Sequence, residues 1–89
     1  MSKESEVYRA YKEGIVRASH IRRDLNKYTT EYYPEKVRGL CKAYIKTAQE
    51  IIRKGEEYID ISNNFEIGME VAMAIENYRA LILKLKKWH

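Results

Sequence analysis

The stretch Pro34–Ser62 reads PEKVRGLCKAYIKTAQEIIRKGEEYIDIS and decides the fold. Its apolar and small residues recur at alternating steps of four and three, the spacing of one face of an α-helix. That face consists of Val37, Cys41, Tyr44, Ala48, Ile51, Gly55, Tyr58 and Ser62. Further apolar residues lie beside it and widen it, namely Leu40, Ile45, Ile52 and Ile59. A face this wide is typical of a helix covered by two neighbours, so the stretch is predicted to be the middle helix of a bundle.

The segments on either side carry the same periodicity, through residues 7–32 before it and 68–85 after it. Proline suits a first helical position and disfavours helical angles in the residue before it, so Pro34 separates the first two helices. Ser62-Asn63-Asn64 has the composition of a second turn. The sequence therefore predicts one domain, residues 1–89, with an all-α fold. We expect an antiparallel up-down-up three-helix bundle with long helices at approximately 4–31, 34–61 and 65–87.

Composition limits the compartment. A single cysteine, Cys41, rules out an internal disulfide and fits a reducing environment. The opening residues MSKESEVYRA lack the apolar region of a signal peptide, and no apolar run is long enough to span a membrane. We therefore expect a cytoplasmic protein with no membrane partner. Plentiful Lys, Arg, Glu, Ile and Tyr beside a single glutamine favour a thermophilic source.

Residues suited to metal binding or nucleophilic catalysis are scarce. His20 and His89 are the only histidines, and neither stands at metal-ligand spacing from Cys41. Cys41 lies on the predicted helix seam, where a small buried hydrophobe is expected rather than a nucleophile. Glycine-rich phosphate-binding loops are absent. The acidic residues without histidine partners are typical of a solvated face: Glu56, Glu57, Asp60, Glu66 and Glu70. The sequence predicts no enzyme, no cofactor and no metal site.

Small residues fall at one level of the predicted bundle. In antiparallel helices, residues that lie equally far along the chain from the turn between them are at about the same level. Counted in this way from the two turns, Gly14, Gly55 and the segment Gly68–Val71 lie close together. Glycine within a helix costs about 1 kcal/mol relative to alanine, so a packing reason is expected. One interpretation is close helix approach, with aromatic residues filling the space nearby: Tyr8, Tyr11, Tyr58 and Phe65. The other is a small pocket lined by the tyrosines.

Charge is the most informative surface feature. The net charge is only +4, yet the same counting from the turns puts twelve basic and three acidic residues at one end of the bundle, the basic pole. The other end, the acidic pole, holds five basic and ten acidic residues. The basic pole is a candidate nucleic-acid-binding surface, with Tyr32, Tyr33 and Trp88 near it to stack on bases. Its candidate contact residues are Arg22, Arg23, Lys27, Arg38, Lys42 and Lys87. The alternative is a solvated, salt-bridged surface whose poles favour head-to-tail contacts between copies.

A second apolar seam favours self-association. Ile45, Ile52 and Ile59 are spaced seven residues apart along the middle helix. They are a candidate homodimer face, or else the other half of the monomer core. If they form the dimer face, Ile52→Asp abolishes dimers without unfolding the monomer.

The run Tyr44-Ile-Lys-Thr-Ala48-Gln-Glu-Ile51-Ile52-Arg-Lys54-Gly55-Glu56 resembles the middle of a small archaeal domain family of unknown function. The segment Asn64-Phe65, followed by Gly68, Ala74 and Tyr78, is similar to the last helix of that family. The resemblance covers about half of the chain. It implies a helical bundle of this length and no activity.

The sequence thus favours a non-enzymatic bundle that acts as a structural or protein-interaction module and self-associates, forming a homodimer. The alternative is a nucleic-acid-binding accessory protein that uses the basic pole.

Overall fold

The backbone of residues 2–88 and the side chains of residues 2–87 are described by a computed structural model. These residues form three helices and no strand: α1 (Lys3–Lys27), α2 (Pro34–Ile61) and α3 (Phe65–Trp88). The predicted all-α, up-down-up three-helix bundle is confirmed, and α2 packs against both of its neighbours. The predictions for His89 and for the side chain of Trp88 lie outside the described residues.

The first helix ends four residues before its predicted end, at Lys27 rather than residue 31. Tyr28 is already extended, with φ −113° and ψ 135°. Two β-branched residues follow it, Thr29 and Thr30, and such residues lose side-chain freedom in a helix. Aromatic contacts stabilise the connection. The ring centroids of Tyr28 and Tyr33 lie 5.2 Å apart in an edge-to-face arrangement, and Lys36 Nζ lies 4.3 Å from the Tyr28 ring centroid.

Polar caps fix the opposite end of the bundle. The Ser2 side chain accepts a hydrogen bond from the Ser5 amide at 3.2 Å, which caps the start of α1. At the second turn, Asn64 Oδ1 accepts from the Ile67 amide at 3.1 Å. The Ser62 hydroxyl accepts from the Asn64 amide at 3.0 Å and donates to the Glu4 carboxylate at 2.9 Å. This last bond ties the start of α1 to the end of α2.

The core lies along α2. Its seam is buried as predicted, from Val37 to Tyr58, and Ala48 and Ile51 are almost completely covered. The flanking helices both pack on α2, but within the described residues no Cα atom of α1 lies within 8 Å of one in α3. The molecule measures 48 × 24 × 16 Å, the shape of a thin, open bundle.

Two of the glycines do serve close packing. A Cβ added to Gly14 would lie 2.8 Å from Ile51 Cγ1, and one added to Gly55 would lie 3.0 Å from side-chain atoms of Val71 and Ile75. Close helix approach is therefore observed at these two positions. At Gly68 an added Cβ would meet nothing within 4 Å, so this glycine has no such role.

Phe65 does not fill the glycine layer, and this part of the prediction was wrong. As the first residue of α3, it lies on the side of the helix away from Val71 and Ile75, with 78% of its surface exposed. The tyrosines pack together without Phe65. The ring centroid of Tyr8 lies 5.0 Å from that of Tyr58 and 5.9 Å from that of Tyr11.

Candidate functional site

The outer side of α3 carries a row of exposed apolar residues. Phe65, Met69, Met73 and Leu83 are 78%, 51%, 66% and 65% exposed, respectively. Ala72 and Ala80 lie among them and are also exposed. We call this surface the outer stripe, and its members are Phe65, Met69, Ala72, Met73, Ala80 and Leu83. Isolated exposed apolar residues are ordinary on a protein surface, but a contiguous row of large ones is typical of an interaction site.

The stripe is distinct from the face that α3 buries. Val71, Ile75 and Ile82 are buried against α2, and successive positions on an α-helix turn by about 100°, which puts the stripe on the opposite side. Along the stripe, residues follow each other at steps of four and three, as in a helix that packs against another helix: Phe65, Met69, Ala72, Glu76, Ala80 and Leu83. A helix that is apolar on two opposite sides is typical of one covered on both.

A shallow groove between α2 and α3 borders the stripe. One hollow of about 250 Å³ lies between Ile59 and Phe65, and Ala72 separates it from a second of about 290 Å³ that extends to Arg79. Arg79 donates hydrogen bonds to Glu76 on α3 and Glu56 on α2, each at 3.2 Å. Glu76 thus carries the one charge in the middle of the stripe, and that charge is partly compensated.

The predicted dimer face on α2 is not a continuous exposed strip. Ile45 and Ile52 are half-buried and pack against the core, an arrangement that matches the alternative interpretation for those two residues. Ile59 is exposed and lines the groove beside the stripe. Of the three isoleucines, only Ile59 adds to the surface formed by α3.

The basic pole has a separate and unusual feature. The candidate residues Arg22, Arg23, Lys27, Arg38, Lys42 and Lys87 are all exposed. Among residues 2–88, the ion pairs join Lys3, Arg53, Lys54 and Arg79 to glutamates of the acidic pole. None of the six candidate cations has a carboxylate oxygen within 4.0 Å in this part of the chain. The predicted alternative of a salt-bridged surface therefore does not describe these six residues.

Two exposed aromatic residues lie in the connection between α1 and α2, at the end of α1 and the start of α2. Tyr32 is 73% exposed in the connection between α1 and α2, and Tyr33 beside it is also exposed. Lys36 covers the neighbouring Tyr28 ring. Exposed aromatic rings on the same molecule as a set of unpaired cations suit a surface that binds single-stranded nucleic acid, where bases stack on the rings and phosphates contact the charges.

Three further side chains with reactive groups are those of Cys41, Tyr11 and His20. Cys41 is buried, and burial raises the pKa of its thiol, which disfavours the reactive thiolate. Burial raises the pKa of Tyr11 to about 12, with smaller contributions from Tyr78, Tyr8 and Glu70, so this phenol stays neutral at physiological pH. His20 is exposed. In the described part of the chain, no three His, Cys, Asp or Glu side chains are grouped to hold a metal ion.

None of the three helices, over the described residues, has the length and apolar character needed to cross a membrane. The chain matches no family model, and neither a curated protein nor a solved structure is significantly similar to it.

The outer stripe was not among the surfaces predicted from the sequence. Its signal is nevertheless present, because α3 holds apolar residues at helical spacing on two opposite sides, one ending at Leu85 and the other at Leu83. A single sequence does not say which of the two faces meets α2, so the second one is recognised only once the first is seen to be buried.

Proposed function

We propose that this protein is a non-enzymatic interaction module that associates with further copies of itself through the outer stripe of α3. The observation that carries the proposal is the run of large apolar side chains left exposed on the side of α3 opposite the core. Burying them removes apolar surface from water at about 25 cal/mol per Å², the same driving force that stabilises the core.

Self-association is also favoured by the size of the domain. A chain of 89 residues buries a smaller fraction of its surface than a larger domain does, so an intermolecular contact adds proportionally more to its stability. The thin shape has the same effect, because the backbone of α3 packs closely only against that of α2.

Light scattering on the wild-type protein across a range of concentrations tests the proposal. We expect the mean mass to rise from the 10.6 kDa of one chain towards twice that value as concentration increases. Denaturation midpoints should rise in parallel, because association stabilises the folded state by mass action. A mass that stays at that of one chain up to millimolar concentration contradicts the proposal.

A second candidate function is supported by a different observation, the six unpaired cations of the basic pole. A binding surface for phosphates needs cations that are not already neutralised by carboxylates, and Arg22, Arg23 and Lys42 meet that requirement. In this function the chain is a nucleic-acid-binding accessory protein. Its nucleic-acid-binding surface consists of residues on α1, α2 and their connection and at the end of α3.

Charge reversal tests this second function. The triple variant Arg22→Glu, Arg23→Glu, Lys42→Glu should bind labelled single-stranded DNA or RNA at least about 100-fold more weakly than the wild type at low salt. The matched control Lys3→Glu, Arg53→Glu, Lys54→Glu makes the same change in net charge at the acidic pole and should retain most of the binding. No wild-type binding at low salt, or equal losses in the two variants, contradicts the second function.

A further inference from the structure

The charges on α3 are divided between its two halves. Glu66 and Glu70 lie in the first half, and Lys84, Lys86 and Lys87 lie in the last turns. All of them are exposed, and within residues 2–88 none is joined to an opposite charge within 4.0 Å. The ends of the outer stripe are therefore flanked by charges that lack a partner within the chain.

This division discriminates between the two ways in which two α3 helices can pair. A parallel pair places Glu66 beside Glu66 and the lysines beside lysines, and like charges across a helix interface are destabilising. An antiparallel pair places the glutamates of one copy beside the lysines of the other at both ends of the interface. Charge complementarity thus favours the antiparallel arrangement of two copies.

The spacing of the stripe also fits an antiparallel pair. With a twofold axis near Glu76, Met69 of one copy faces Leu83 of the other, and Ala72 faces Ala80. The large side chains of Met69 and Leu83 then meet, Phe65 and Met73 fall opposite the long side chains of Lys87 and Arg79, and the alanines on either side of the axis let the helices approach closely. Each contact occurs twice, as the symmetry of an isologous interface requires.

We propose that two copies pair through antiparallel α3 helices about a twofold axis near Glu76, with the acidic half of each α3 beside the basic half of its partner. This inference rests on the proposed function and adds the orientation and register of the partner. The charge of Glu76 lies at the axis, and Arg79, which already bonds to Glu76 at 3.2 Å, is placed to compensate both copies of it.

Cysteine cross-linking tests the orientation. In a Cys41→Ala background, Met69→Cys and Leu83→Cys proteins are prepared separately, mixed, and treated with a short bis-maleimide reagent. We expect covalent dimers between the two variants at least about tenfold more often than dimers of either variant with itself, because position 69 faces 83 and lies far from 69 of the partner. Glu76→Cys should cross-link to itself, which serves as the positive control for contact through the stripe.

The outcomes separate this inference from the proposed function. Dimers by light scattering together with efficient cross-linking of Met69→Cys to itself mean that the helices are parallel, which overturns the inference and leaves self-association in place. Dimers by light scattering with no cross-link from any of the three variants overturn both, since the stripe is then not the contact. A single-chain mass at every concentration also overturns both.

Discussion

Met73→Glu is expected to raise the dissociation constant of the self-associated protein at least about 100-fold, because a carboxylate would be buried in the interface opposite an arginine, Arg79, that already bonds to Glu56 and Glu76. The substitution occurs in both copies of a symmetric pair, and a factor of ten corresponds to only about 1.4 kcal/mol. Met73 is two-thirds exposed within one chain, so the helical content and the free energy of unfolding of the monomer should change little. Light scattering and circular dichroism on the same samples measure the two effects.

Val16→Glu is the matched control for that experiment. Val16 is 53% exposed on α1 and lies away from the outer stripe, yet the substitution makes the same change in charge and a similar change in polarity. We expect its dissociation constant to match that of the wild type. If Val16→Glu dissociates the dimers and Met73→Glu leaves them intact, the interface lies elsewhere.

The second large effect concerns the contact between α1 and α2. Gly14→Ala is expected to lower the free energy of unfolding by about 1–2 kcal/mol, since the new Cβ would lie 2.8 Å from Ile51 Cγ1. Ile51 is almost fully buried and branched at Cβ, so it has little room to move away. The resulting strain exceeds the helix-propensity gain from replacing glycine.

Gly39→Ala is expected to change the free energy of unfolding in the opposite direction. An alanine Cβ at Gly39 meets nothing within 4 Å, and the residue lies in a helix with negative φ, so only the gain in helix propensity remains. We expect the free energy of unfolding to rise by about 0.5–1 kcal/mol. Urea titrations of the two variants at one protein concentration measure both values, and changes of equal sign would contradict the packing described for Gly14.

The pairing of α1 with α2 could be predicted because both helices have a single apolar face and a short connection between them. Counting from the first turn placed Gly14 near Gly55, and the structure brings Gly14 to Ile51, one turn away on the same face. The same counting separated the cations from most of the carboxylates. Within residues 2–88, three of the five ion pairs lie inside the acidic pole, and the other two join Arg79, predicted to belong to the basic pole, to Glu56 and Glu76.

Other features depend on information that periodicity lacks. The apolar spacing continues through Tyr28 and Tyr32, but the helix ends at Lys27, where local backbone preferences and the Tyr28–Tyr33 contact prevail. Periodicity alone also treats both faces of α3 alike, and so it assigned Phe65 to the interior. The exposed position of Phe65 depends on which side of α3 meets α2, which is a tertiary property.

The distance between the backbones of α1 and α3 has a consequence for how this fold tolerates change. Since the backbones of α1 and α3 each approach only that of α2, a substitution in one outer helix affects the other only where their side chains line a common hollow, as Ile15 and Tyr78 do. The face that α3 turns to the outside can therefore diversify, acquiring or losing partners, without a matching adjustment in α1.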